Sequence, residues 1–154
     1  MRRIADAEYR LHDRLRPRDA FEAVREPTIT NDPSVLDGTS TCLLVTYRRS
    51  GEPVPSPVLF GVADGKIYFR AEQRTAKIRR IRANPTVLVA PCSFRGRPTG
   101  PFVKGTARIV EPHEQAAAYT ALRRNYRWAD RLYESTADRL PVEPAYVEIT
   151  PSRE

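Results

Sequence analysis

Residues 66–85 read KIYFRAEQRTAKIRRIRANP, and this stretch decides the fold. Ile67 and Phe69 alternate with polar neighbours, the pattern of a half-buried strand. Thr75 is a good N-cap, and Pro85 forbids much continuation beyond Asn84, so a short helix is predicted from about Thr75 to Asn84. Six cations, Arg70, Arg74, Lys77, Arg79, Arg80 and Arg82, fall in the segment after the strand and only Glu72 opposes them. A helix start offers free backbone N–H groups and the positive end of the macrodipole. Arg74, Thr75 and Lys77 beside it form a seat suited to a phosphate. The same run also reads as a solvated basic helix face, and charge by itself does not decide between the two.

Upstream the pattern is strongly β. Thr41–Tyr47, TCLLVTY, is a continuous apolar run of strand length. Arg48–Pro53 is a turn in which Gly51 is free to take positive φ. VPSPVLF follows as a second strand; Pro53, Pro55 and Pro57 cannot donate to a ladder, so it is irregular or on an edge. Ala63-Asp64-Gly65 is a hairpin signal. Residues 1–35 read as an N-terminal helical arm, broken by Pro17, Pro27 and Pro33, with Ile4, Tyr9, Leu11, Leu15 and Phe21 as apolar contacts. Residues 36–154 read as the main domain.

Downstream, Thr86–Cys92 is a fourth strand and Phe102–Val110 a fifth, joined by a turn-rich loop containing Arg95, Gly96 and Arg97. Pro112 opens a helix running to about Tyr126 or Trp128. A second short helix is expected over Ala129–Arg139, and Pro144–Ile149 is a last strand. Hairpin-linked strands at turn-punctuated intervals favour a small closed or partly open barrel over a doubly wound parallel sheet.

A chain of 154 residues is one domain by size. Net charge is +7, which favours anionic partners without choosing among them. A nucleic-acid role lacks interleaved exposed aromatics beside the basic run, where Tyr68 and Phe69 are the only candidates, so no nucleic acid is expected. No segment has the length or apolarity of a membrane span, and the N-terminus has no apolar core of a secretory signal, so no membrane partner and a cytoplasmic location are expected. Cys42 and Cys92, inside apolar runs, read as buried thiols, and no metal-spaced Cys/His cluster exists.

Taken in order, TCLLVTYRRSGEPVPSPVLF, GKIYFRAEQRTAKIRRIRANPTVLVAP and GTARIV resemble the pyridoxamine 5'-phosphate oxidase-like split β-barrel superfamily, and most of all its flavin/deazaflavin (F420)-dependent oxidoreductase branch. The resemblance covers roughly Thr39 to Val110. It rests on an apolar strand ending in G-x-P-x-x-x-P, a D-G hairpin, a Thr-x-Lys and an N-P, and a later G-T-A. It implies a six-stranded antiparallel split β-barrel, mainly β with helices, assembled as a homodimer with cofactor sites at the interface. It implies that the phosphate end of F420, or alternatively of FMN, sits on the strand–loop–helix segment. Carried over residue by residue, Thr75 and Lys77 match the phosphate-binding positions. Arg70 and Ala71 match the strand end along the ribityl chain, and Ser56, Pro57 and Val58 match the strand along the ring. FMN-using members carry an adjacent Arg-Lys pair at the helix start. Here Ala76 precedes Lys77, which leaves Arg74 as the replacement contact.

The implied activity is hydride transfer between reduced F420 and a small organic acceptor, the cofactor doing the chemistry. No catalytic residue stands out and no paired carboxylates or Ser-His-Asp arrangement suggest hydrolysis. A non-catalytic flavin, F420 or tetrapyrrole binder on the same barrel stays open. His12 and His113 read as surface residues. Tyr119, Tyr126, Trp128 and Tyr133 read as core, dimer interface or a wall of the substrate pocket. Arg123, Arg124 and Arg127 read as a solvated helix face or as contacts to an anion.

Overall fold

The computed structural model describes residues 18–126 and 143–153. Seven strands and three helices appear in it: α1 (Arg18–Ala23), β1 (Ile29–Thr30), β2 (Thr41–Tyr47), β3 (Pro53–Ala63), β4 (Lys66–Glu72), α2 (Ala76–Ala83), β5 (Thr86–Pro91), β6 (Phe102–Ile109), α3 (Gln115–Asn125) and β7 (Pro144–Pro151). Short 3-10 turns at Pro33–Leu36 and Pro112–Glu114 precede β2 and α3.

The strands run β6-β5-β2-β3-β4-β7 around a sheet, and β7 pairs back onto β6, closing a six-stranded barrel in which every pairing is antiparallel. The barrel class expected from the residues is therefore the one found. β1 escaped the sequence reading because two residues carry no periodicity; it adds in parallel to the start of β6, Ile29 beside Phe102.

Alternation sorts the side chains. Leu44, Val58, Phe60, Ile67, Phe69, Val87, Val89, Val103, Val147 and Ile149 fill the barrel, and Ile78 and Ile81 of α2 join that core. Leu43, Val45, Leu88, Ala90 and Phe102 face outward and are covered by Ala20 and Val24 of the N-terminal segment. This double coverage explains why TCLLVTY is apolar without interruption: from Thr41 to Thr46 every residue is buried, so no position needs to be polar for solvent. Phe21, expected as an apolar contact of the arm, is instead exposed, because Ala20 and Val24 are the residues of that turn that meet the sheet. Ile4, Tyr9, Leu11, Leu15 and His12 lie outside the described residues, as do Arg127, Trp128, Tyr133 and the helix expected over 129–139.

α3 packs on the opposite outer face, where Ala118, Leu122 and Tyr126 meet Val110 and Tyr146. Gly61 of β3 makes that contact possible: a Cβ built there would stand 2.2 Å from the Ala121 carbonyl oxygen. Asn125 Nδ2 then donates to the carbonyls of Phe60 at 2.7 Å and Thr39 at 3.0 Å, pinning the end of α3 to β3. The predicted Asp-Gly hairpin forms, with φ of 53° at Asp64 and 74° at Gly65.

Candidate functional site

β3 and β4 run together only from Ala63–Lys66 to Phe60–Phe69. Beyond that point they part. Leu59 back to Pro53 stays paired with β2, while Arg70 to Glu72 stays paired with β7. The barrel is split there. Continuing the β3–β4 register across the gap sets Val58 opposite Ala71 and Ser56 opposite Gln73. The two stretches singled out in the sequence thus flank the point where β3 and β4 part, and the loop from Glu72 to α2 follows on the β4 side.

The loop is built by its own backbone. Gln73 N–H donates to the Glu143 carbonyl at 3.0 Å, Thr75 N–H to the Glu72 carbonyl at 3.1 Å, and Arg74 N–H to Glu72 Oε2 at 3.0 Å. Thr75 is the N-cap of α2, as expected, with extended φ and ψ. Its hydroxyl does not cap the helix. Thr75 is buried, and Oγ1 turns back to donate to the Glu72 carbonyl at 2.9 Å. Consequently no side chain caps the first turn of α2, and no acidic residue stands in it. Thr75 as it stands offers no O–H donor to a phosphate, so the seat falls to the first-turn N–H groups, Lys77 and Arg74. Arg74 is exposed and Lys77 half-buried.

The other candidates divide by face. Ser56 is buried and points inward beside Leu44. Val58 belongs to the barrel core and Ala71 packs against it, so both support the walls of the split. Pro57 points outward and is half-buried, in contact range of Gly96. Arg70 is half-buried on the outward side of β4, next to Tyr146 on β7. Arg80 is not part of a solvated face: its Nε donates at 2.7 Å to Oγ1 of the fully buried Thr46, tying α2 to β2.

Sequence reasoning missed the largest polar cluster in the described residues. Glu148 on β7 is 5% exposed and faces Tyr68 on β4 and Arg108 on β6. It accepts from Tyr68 Oη at 3.0 Å, Lys66 Nζ at 3.2 Å and Arg108 Nε at 3.0 Å. Arg108 also donates to both oxygens of Glu114, ahead of α3. Burial pushes the Glu148 carboxyl up, but the hydrogen bonds from Arg108, Tyr68 and Lys66 outweigh it and hold the group below the ordinary carboxylate range. The bond from Arg108 holds Glu114 down at about 2. Burial, then the bond to Glu148, pushes the Tyr68 phenol up to about 12. The only sequence signal was one acid inside the apolar run AYVEIT and one arginine inside GTARIV; their meeting depends on β6 closing onto β7.

Cys42 and Cys92 are free and buried, as expected, and burial raises both thiols, Cys92 to about 12. His113 is exposed on the turn before α3. Tyr126 is core, while Tyr119 is exposed and stacks under Arg123 at 5.7 Å. Two shallow hollows, about 370 Å³ along Tyr119–Arg124 and about 440 Å³ between the end of α2 and β6, contain none of the split residues. Among the described residues no group of His, Cys, Asp and Glu could hold a metal ion, and no helix is long and apolar enough to cross a membrane.

Residues 34–152 match a family described as pyridoxamine 5'-phosphate oxidase. No protein with a curated description matches the chain. Among solved structures, the chain is similar to Atu2129 of Agrobacterium tumefaciens str. C58 (TM-score 0.59, 23% identity, 85% of this chain and 54% of that one). It is similar to HutZ, a heme storage protein of Vibrio cholerae (0.56, 14%, 79% and 87%). It is also similar to a FAD-binding protein of Mesorhizobium loti (0.52, 19%, 77% and 84%). Identities this low establish the shared barrel and nothing finer.

Proposed function

Because the chain belongs to the pyridoxamine 5'-phosphate oxidase family, we propose that it is an F420-dependent oxidoreductase transferring a hydride between the reduced deazaflavin and a small organic acceptor. The observation that carries the reading is the placement of two unlike walls on one split. One wall is the proline-rich half of β3, and the other leads straight into a helix start with no side-chain cap, flanked by Arg74 and Lys77. An anionic phosphate suits the second wall through first-turn N–H groups, helix dipole and two cations. A flat ring suits the first.

When bound, the coenzyme supplies the redox chemistry. The chain's part is positional. Lys77 and Arg74 hold the anion; Arg70 and Ala71 border the connecting chain; Ser56, Pro57 and Val58 form the wall along the ring. Holding the reactive ring in one pose against an acceptor is the protein's route to rate acceleration. The site lies at the interface of a cytoplasmic homodimer in this reading, where the second copy completes the pocket.

FMN in the same seat is the second reading. The FAD-binding neighbour supports a flavin, while Ala76 in place of a second cation at the helix start favours F420, whose phosphate is a diester with less charge to neutralise. A tetrapyrrole finds no histidine beside the split among the described residues, where His113 stands exposed before α3. The test is titration of the purified protein with F420 and with FMN, followed by coenzyme fluorescence. Saturable binding of F420 with weaker binding of FMN is expected. Binding of neither overturns the proposal.

A further inference from the structure

Glu72 is the only acid in the basic stretch from Arg70 to Arg82. It ends β4, opposite Pro144 on β7, and is half-buried. Six cations share that stretch, yet among the described residues the Glu72 carboxylate forms no ion pair. Its Oε2 accepts instead from the Arg74 N–H at 3.0 Å. The Glu72 carbonyl accepts from both the N–H and the hydroxyl of Thr75, at 3.1 and 2.9 Å. Three donors of the loop are therefore committed to this one residue.

The consequence is electrostatic. A carboxylate tied to its own loop through a backbone N–H keeps its place beside the helix start, and no cation is paired with it. Arg74 stands two residues before Ala76, the first residue of α2, and two residues span at most about 7 Å. Glu72 Oε2 thus lies within about 10 Å of the start of α2, comparable with the screening length of physiological salt. Arg74 and Lys77 bring two positive charges to the seat and Glu72 one negative charge, which leaves one net positive charge for an anion to match. A phosphate diester carries one negative charge, whereas a monoester carries about 1.5 to 2 at pH 7. The added charge of a monoester loses hydration, meets Glu72, and finds no further cation at Ala76.

We propose that Glu72 is a specificity-determining residue: it sets the seat for one negative charge, so that the coenzyme is taken as a phosphate diester and a phosphate monoester is disfavoured. The inference rests on the functional reading above, because it concerns the same seat. The Thr75 hydroxyl, donating to the Glu72 carbonyl, adds no O–H that would offset a second charge.

The experiment uses the full chain and two probes that share the ring and ribityl chain of F420: the 5'-phosphate monoester and its monomethyl ester, a diester. F420 itself is the reference. Wild type is expected to bind the methyl ester at least as tightly as the monoester. Glu72→Gln keeps an oxygen for the Arg74 N–H and should melt near wild type. It should strengthen the monoester more than the methyl ester, moving the ratio of their dissociation constants about fivefold, the effect of one charge at this distance. A wild type that prefers the monoester overturns the selection while leaving the phosphate seat intact. So does F420 binding with no measurable preference between the probes, or a ratio unmoved by Glu72→Gln, which would make Glu72 a brace of the loop. Binding of neither F420 nor the probes overturns the functional reading and the selection together.

Discussion

The barrel has two seams on either side of β4, and they are finished differently. On the β4–β7–β6 side the chain satisfies itself. Glu148 receives Tyr68, Lys66 and Arg108, and Arg108 reaches on to Glu114. On the β3 side the paired register ends at Phe60 and Phe69, and the chain beyond β4 leads to a helix start with no side-chain cap. Polar groups matched within the chain serve stability, and polar groups left for something else mark a site. If that contrast is right, changes at the closed seam will alter melting and leave coenzyme affinity alone, and changes at the open seam will do the reverse.

The largest effect lies outside both seams, at Gly61, where α3 packs on the paired part of β3. Gly61→Ala places a methyl group against backbone, which has no rotamer to escape into. A loss of about 3 kcal/mol is expected, seen as a melting temperature lower by roughly 10 °C or as failure to accumulate folded protein. Melting within about 2 °C of wild type would mean that α3 does not sit on β3 as described.

Next comes Glu148→Ala. Removing one partner from a buried ion pair strands the others, typically at 3–5 kcal/mol when both are deeply buried. Here the Lys66 and Arg108 side chains are 41% and 47% exposed, so water recovers part of the cost. A loss of about 2 kcal/mol is expected in urea unfolding, with coenzyme dissociation constants changed less than about twofold. A large affinity loss with little loss of stability would place Glu148 in the site and dissolve the contrast.

These two seams also differ in how far the residues announced them. The elements that carry the candidate site were legible because they are local: Pro53-Val54-Pro55-Ser56-Pro57, and the strand–loop–helix from Lys66 to Asn84, each carry their signal within a few positions. The barrel was legible for the same reason, since five of its strands are hairpin neighbours or nearly so. The closed seam was not. Glu148 meets Tyr68 and Arg108 across separations of 80 and 40 residues, and nothing in AYVEIT says which strands will flank it. Thr75 shows a subtler limit: its cap position follows from sequence, but the direction of its hydroxyl, which donates to the Glu72 carbonyl, depends on how the loop folds back.

At the open seam the expected effects are smaller in free energy and specific to the ligand. Lys77→Ala should weaken F420 or FMN binding at least tenfold, about 1.4 kcal/mol, while Arg79→Ala, exposed on α2, changes it less than about twofold. Both variants should melt near wild type. Equal losses would mean a diffuse basic surface in place of a defined seat.

The smallest effect is a slope. The Glu148 carboxyl is held below its ordinary value in the folded chain, so its stabilising contribution is complete above the unfolded value of about 4.3 and fades as pH falls through the folded one. Glu114, held at about 2, follows the same sign with a lower end point. Glu148→Gln cannot take part in this titration. The melting advantage of wild type over Glu148→Gln should therefore stay level from pH 8 to about 5 and narrow steadily below it. Tyr68 carries the opposite sign: raised to about 12, its contribution holds below the ordinary tyrosine value of about 10 and is lost as pH climbs toward 12. An advantage that persists undiminished to pH 3 would show that the carboxylate form of Glu148 is not what joins β4, β7 and β6, and the closed seam would owe its strength to packing alone.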